Sequence, residues 1–199
     1  REIPAPKRPE KTSKLLVGAH NCPLWNADAY QMWSQLKQHP ERTPALGFYN
    51  QQNPEVADWE TKWAVESGGD FVIYCWYRTR QGDGPIETKF EEALTQALFK
   101  SRFQNDVKFA IMWENQNRGT SGVADENDLM NNLFPYWLEN FFKKENYLVI
   151  NNKPVLFIYR PDYMAADLGG AENCRAALDK MRAAAVDSGF DGLYALGEY

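Results

Sequence analysis

Phe71-Val72-Ile73-Tyr74-Cys75-Trp76-Tyr77 is an unbroken apolar run of β-branched and aromatic side chains, set just after Gly68-Gly69. Nothing in it alternates with polar residues, so the strand it predicts is covered on both faces, as in a parallel sheet. Four further runs share this character: Leu15-Leu16-Val17-Gly18-Ala19, Val107-Lys108-Phe109-Ala110-Ile111-Met112-Trp113, Pro154-Val155-Leu156-Phe157-Ile158-Tyr159 and Gly192-Leu193-Tyr194-Ala195-Leu196. Helical patterns separate them. Asn53-Pro54-Glu55 combines a capping side chain, a proline suited to the first turn and an acid near the positive helix end. The helix it opens is expected to bury Val56, Trp59 and Trp63 and to stop at Gly68-Gly69. A second pattern covers about 87–102 with Phe90, Leu94, Ala97 and Leu98 on one stripe. A third covers about 128–144 with Leu129, Leu133, Trp137 and Phe141, where Pro135 should bend the helix or begin a new one. A fourth covers about 171–188 with Ala177, Met181 and Ala184. Asn151-Asn152 tolerates the positive φ angles of a tight turn and predicts a small hairpin into the fourth strand.

Strand and helix in regular alternation imply α/β architecture with parallel strands and right-handed crossovers. An open doubly wound sheet and part of a (β/α)8 barrel both fit, and both gather function at the C-terminal strand ends. Residues 1–14, Pro-rich and charged at the outset, read as an extended lead-in. The remainder, 15–199, reads as about the first five β/α units of the barrel alternative.

The charge balance narrows the partners. Twenty-two basic against 27 acidic residues give a formal net charge of −5 with no basic cluster, which argues against a nucleic-acid surface. No apolar run reaches the length of a membrane span. The lead-in suits a processed start, and hence a secreted, periplasmic or cell-surface protein. Cys22, Cys75 and Cys174 cannot all pair within the chain, and Cys75 is expected to be buried. The cysteines and two histidines have no zinc-site spacing, no Gly-rich phosphate loop follows the first strand, and no serine lies in a nucleophile elbow. No metal or cofactor is therefore expected.

The strand ends carry chemistry of one kind. The first gives His20, Asn21 and Trp25; the second Trp76, Tyr77 and Arg78; the third Trp113, Glu114, Asn115 and Asn117. The fourth gives Tyr159, Arg160 and Asp162, and the fifth Glu198 and Tyr199. Aromatic rings suit the apolar faces of sugars, while amides, guanidinium and carboxylates bind hydroxyls in fixed directions. Each residue also has a structural reading. Glu114 can pair with Arg78 or Arg160, His20 can bond to backbone in a core, the asparagines can cap turns, and Trp76 and Trp113 can pack.

The order Leu46-Gly47-Phe48-Tyr49, Pro54-Glu55-Val56, Phe71–Tyr77, Phe109–Asn117, Leu133-Phe134-Pro135-Tyr136 and Asn152–Pro161 resembles the WbsX-like proteins, relatives of glycoside hydrolase family 99, which includes endo-acting mannosidases. The resemblance covers roughly residues 15–161. It implies a (β/α)8 barrel that processes glycans, by hydrolysis of mannose-containing or other complex polysaccharides. On that reading the catalytic carboxylates available here are Glu114 and Glu198. The glycan-binding wall is His20, Asn21, Trp25, Trp76, Tyr77, Arg78, Trp113, Asn115, Asn117, Tyr159 and Arg160. The sequence departs from the family in two places. An Asn-Glu-Asn run common there is Asn115-Gln116-Asn117 here, with the carboxylate at Glu114. The family's paired glutamates near the last strands have no counterpart, so the remaining barrel units are expected as a partner segment. A non-catalytic glycan binder on the same fold and an unrelated doubly wound domain are the alternatives.

Overall fold

The computed structural model describes residues 2–26 and 32–198; of the residues singled out above, Tyr199 lies outside them. The chain forms two compact units: one runs to Tyr74 and includes Phe90–Lys108, the other comprises Cys75–Lys89 and Phe109 onward.

In the first unit, β1 (Gly18–Asn21) runs parallel to the first half of β2 (Phe71–Arg78), Gly18 opposite Phe71 and Asn21 opposite Tyr74. The Phe71 ring lies over Gly18, where a Cβ would fall 2.2 Å from a ring carbon, so a side chain here would have to displace that ring. The expectation that this strand is covered on both faces fails. Leu15, Leu16 and Val17 precede the strand at 74, 50 and 53% exposure, and Gly18, Ala19 and His20 are exposed. The strand comes last in the sheet order, with only β2 beside it among the described residues, so apolar composition alone overstated its burial.

The helix Pro54–Glu66 begins as its sequence requires, the Asn53 side chain accepting from Glu55 N–H. Its buried line is Ala57, Thr61 and Val65, joined by Val56; Trp59 is half-buried and Trp63 exposed. Small residues four apart let the helix approach its neighbours closely and turn the indoles to the flank. Gly68, at φ +83°, follows the helix end. Buried Asp58 on this helix accepts from the Ser101 hydroxyl and from Arg102 N–H and Nε, fixing the end of the next helical stretch. Residues 2–14 form no helix or strand. Arg8 donates to the Gly69 and Asp106 carbonyls, and Lys11 to both oxygens of Asp70.

The helix expected over 87–102 is shorter than its pattern. Thr88–Lys89 forms a short strand, β3, antiparallel to Tyr77–Arg78. Phe90 follows at φ +63°, and the helical turns occupy 93–100, first wide (Ala93–Ala97) and then tight (Leu98–Lys100). Gly82 and Gly84, both at positive φ, fold the chain back and make this return possible.

In the second unit the order is β2, β4 (Lys108–Trp113), β6 (Lys153–Ile158), with β7 (Tyr194–Gly197) beyond β6. β6 runs parallel to both β4 and β7. The predicted hairpin is present: β5 (Val149–Ile150) pairs antiparallel with the start of β6 around Asn151 and Asn152, at φ 49° and 54°. Along the helical run 126–142, Leu129, Leu133, Trp137 and Phe141 are fully buried. Its pattern changes at Pro135: a short α segment, Phe134–Trp137, lies between two wide π-helical stretches. The helix Ala171–Asp187 buries Ala177, Met181 and Ala185 rather than Ala184. The helix Pro161–Asp167 was not foreseen. The fold is a parallel-strand α/β sheet, and no described helix is long and apolar enough to cross a membrane.

Candidate functional site

Register assembles the site in the second unit. Trp113 lies opposite Ile158, and Ile158 opposite Gly197. One residue later, Tyr159 N–H donates to Trp113 O at 3.1 Å and Glu198 N–H to Ile158 O at 3.0 Å. Glu114 N–H donates to Trp76 O at 3.0 Å with the same offset. Trp76, Trp113, Ile158 and Gly197 therefore form one level, and Tyr77, Glu114, Tyr159 and Glu198 the next. Neighbours at one level of a parallel sheet face the same side, and successive levels face opposite sides. Lys89 of β3 stands opposite Tyr77, its ammonium 5.6 Å from the Tyr77 ring centre. The result is a row: Lys89, Tyr77, Glu114, Tyr159, Glu198.

Glu114 is buried, and burial pushes its carboxyl above the usual carboxylate range; a hydrogen bond from Gln116 N–H and the Lys89 charge oppose this only in part. Glu198 is exposed at the other end of the row. The carboxyls expected to act together thus share one level, with Tyr159 between them.

The preceding level faces the helices. Trp76 and Trp113, 1% and 0% exposed, meet Trp137 at ring separations of 5.6 and 5.5 Å, and the Trp113 indole N–H donates to Ser121 O. Arg78 shares this side. It is 1% exposed and makes a two-pronged bond to Asp128, Nη1 to Oδ2 at 2.8 Å and Nη2 to Oδ1 at 3.2 Å. Asp128 also accepts from Gly82 N–H, Ala124 N–H and Asn132 Nδ2, so it ties together the loops that follow β2 and β4. Glu114 therefore does not need Arg78 as its partner. Asn115, fully buried, bridges strands: its Nδ2 donates to Arg160 O and its Oδ1 accepts from Arg160 N–H, each at 2.8 Å. Asn115→Ala orphans both backbone groups, and a loss of about 1–3 kcal/mol is expected by denaturant titration.

Arg160 is bound by its own helix. Its guanidinium bonds both oxygens of Asp162 and stacks 3.7 Å from the Tyr163 ring centre, while Arg118, paired with Asp167, lies 5.6 Å from the same ring. Asn117 is exposed on a turn closed by Ser121, whose hydroxyl accepts from Asn117 N–H.

His20, Asn21 and Trp25 belong to the first unit. His20 is exposed. Asn21 Oδ1 accepts from Gln51 Nε2, which also reaches Glu60, and the Tyr74 hydroxyl bonds Asn21. Trp25 stacks on Trp33 at 4.3 Å. Burial raises Glu60, with the Gln51 bond opposing. Sequence reading missed Lys89, Tyr163 and the Gln51–Glu60 pair. For Lys89 a signal existed: the Gly82-Asp83-Gly84 turn returns the chain beside the strand it has just left.

Two solved structures of the GH99 endo-α-mannosidase from Bacteroides thetaiotaomicron are similar to this chain. One is 15% identical with a TM-score of 0.41, over 59% of this chain and 31% of that one. The other, in complex with Bis-Tris propane, is 14% identical with a TM-score of 0.46, over 72% of this chain and 42% of that one. The chain thus spans less than half the length of either. No curated protein matches it. The family described as "Glycosyltransferase WbsX" matches residues 27–198, nearly the whole chain, and the protein belongs to that family.

Proposed function

We propose that this protein acts on glycosidic bonds at the row Lys89–Tyr77–Glu114–Tyr159–Glu198, with Glu114 as the proton donor to the leaving oxygen. The observation that carries this reading is the buried carboxyl of Glu114 set level with two tyrosines: burial raises it above the usual carboxylate range and so favours the protonated form that a proton donor needs. Tyr77 and Tyr159 offer rings and hydroxyls on either side, and Lys89 offers a cation. Glu198 is the second carboxylate, two strand spacings away, about 10 Å at the backbone, which leaves room for a sugar and a water. Trp76, Trp113, Arg78 and Asn115 act from behind, holding the strand ends, while Asn117 and Arg160 flank the row. His20, Asn21 and Trp25 remain glycan-contact candidates within their own cluster. The five parallel strands are read as the first five of a (β/α)8 barrel.

The family's description favours a second reading, in which a sugar hydroxyl replaces water as acceptor. A proton donor serves either reaction. Incubation with mannans, manno-oligosaccharides and unrelated polysaccharides separates the two. Hydrolysis releases reducing ends in proportion to protein, and transfer yields longer products without net release. Neither product, with glycans still bound, would leave a binding protein in place of an enzyme.

A further inference from the structure

The first unit holds a cavity of about 260 Å³ between the incoming turn and the first face of the helix Pro54–Glu66, lined by Tyr49, Asn50, Asn53, Glu55 and Trp59 together with aliphatic carbons. Its size falls just below the roughly 300 Å³ at which sites for drug-sized molecules begin, which suits one ring rather than an oligomer.

Its lining is chemically specific. Glu55 and Trp59, four apart on the helix, set a carboxylate and an indole on one side. The Trp59 ring lies 5.4 Å from that of Trp63, which is 41% exposed. Asn50 Oδ1 accepts from Gln52 N–H and Asn53 Oδ1 from Glu55 N–H, which turns each amide oxygen toward the backbone and leaves each amide nitrogen as a donor. The first-turn N–H of Glu55 is already satisfied, so the helix end itself is not the attraction. Two amide donors, one carboxylate acceptor and two aromatic rings match vicinal hydroxyls above an apolar C–H face. Among the described residues, no Lys or Arg lines the cavity.

We propose that this cavity is a separate binding site for one neutral pyranoside, distinct from the Glu114 row, with Trp59 as the stacking surface and Glu55 excluding anionic sugars. The inference stands on this cavity's own chemistry and holds whether the protein hydrolyses, transfers or only binds glycans.

The test is titration of the ¹⁵N-labelled chain with methyl α-mannopyranoside, methyl α-glucopyranoside and a methyl glucuronide. The probe is the Trp59 indole N–H signal, assigned by its loss in Trp59→Phe. Neutral glycosides should shift it saturably in the millimolar range, as expected for a ligand of this size. The glucuronide should bind about fivefold more weakly, one unit of charge repulsion near a surface. Glu55→Gln, a change at an exposed side chain, should close that gap without disturbing the fold. No saturable shift up to about 100 mM, or equal binding of the glucuronide to the unaltered chain, overturns the proposal. Because the readout sits at Trp59, failure here leaves Glu114 chemistry untouched, and inactivity at Glu114 leaves this site standing.

Discussion

Glu114→Gln should lower glycan turnover by about 10²–10⁴-fold, the usual contribution of a positioned general acid, while leaving the unfolding midpoint nearly unchanged. Glutamine keeps the shape and can still accept from Gln116 N–H, but it has no proton to give. Because burial holds the Glu114 carboxyl above its ordinary value, turnover should also fall on the alkaline side as that group loses its proton. The alkaline limb should be absent from whatever activity Gln leaves. Sugar substrates with leaving groups that need no protonation, such as glycosyl fluorides, should recover most of the lost rate. A variant equally slow on both kinds of substrate, or one that merely unfolds, would remove Glu114 from the chemistry.

Asp128→Ala is expected to cost about 3–5 kcal/mol, because it strands a buried guanidinium. For a chain of this length the midpoint should drop by about 10 °C, measured by thermal denaturation. The damage exceeds one ion pair: the N–H groups of Gly82 and Ala124 and the amide of Asn132 lose their acceptor as well. Arg78→Met should cost less, since Asp128 keeps three donors. The pH dependence follows from the same contacts. Burial alone would raise Asp128, but the bonds from Arg78, Ala124, Asn132 and Gly82 outweigh it and hold the carboxyl below the usual range. A depressed value in the fold means stability that is complete above the unfolded carboxylate value, about 3.9, and is lost as pH falls through the folded one. Asp128→Ala should therefore flatten the acid limb of the stability profile.

Much of the architecture was legible because burial repeats at fixed spacing. The apolar runs marked all five parallel strands, and Leu129, Leu133, Trp137 and Phe141 marked their helix without error. What composition could not reveal was where a strand stands in the sheet: Leu15–Val17 read as core and are exposed. The return at Thr88–Lys89 was hidden because Phe90, Leu94 and Leu98 keep helical spacing across a residue with positive φ. For the candidate site, the strand-end reading named residues that share these two levels but not the sides they face. Alternation along each strand, once register is known, turns Trp76, Arg78, Trp113 and Asn115 inward and leaves Tyr77, Glu114 and Tyr159 on the opposite face. Register depends on pairing between distant segments, which no local pattern records.

On the proposed function, the five-donor grip of Asp128 also constrains how a glycan would arrive. The loops after β2 and β4 share one anchor, so neither can swing as an independent flap over Tyr77 and Glu114. Their ordering cost is met during folding, before any ligand is present. Association should therefore resemble docking onto a rigid rim: one kinetic phase, an observed rate rising linearly with ligand concentration, and no slow isomerisation after contact.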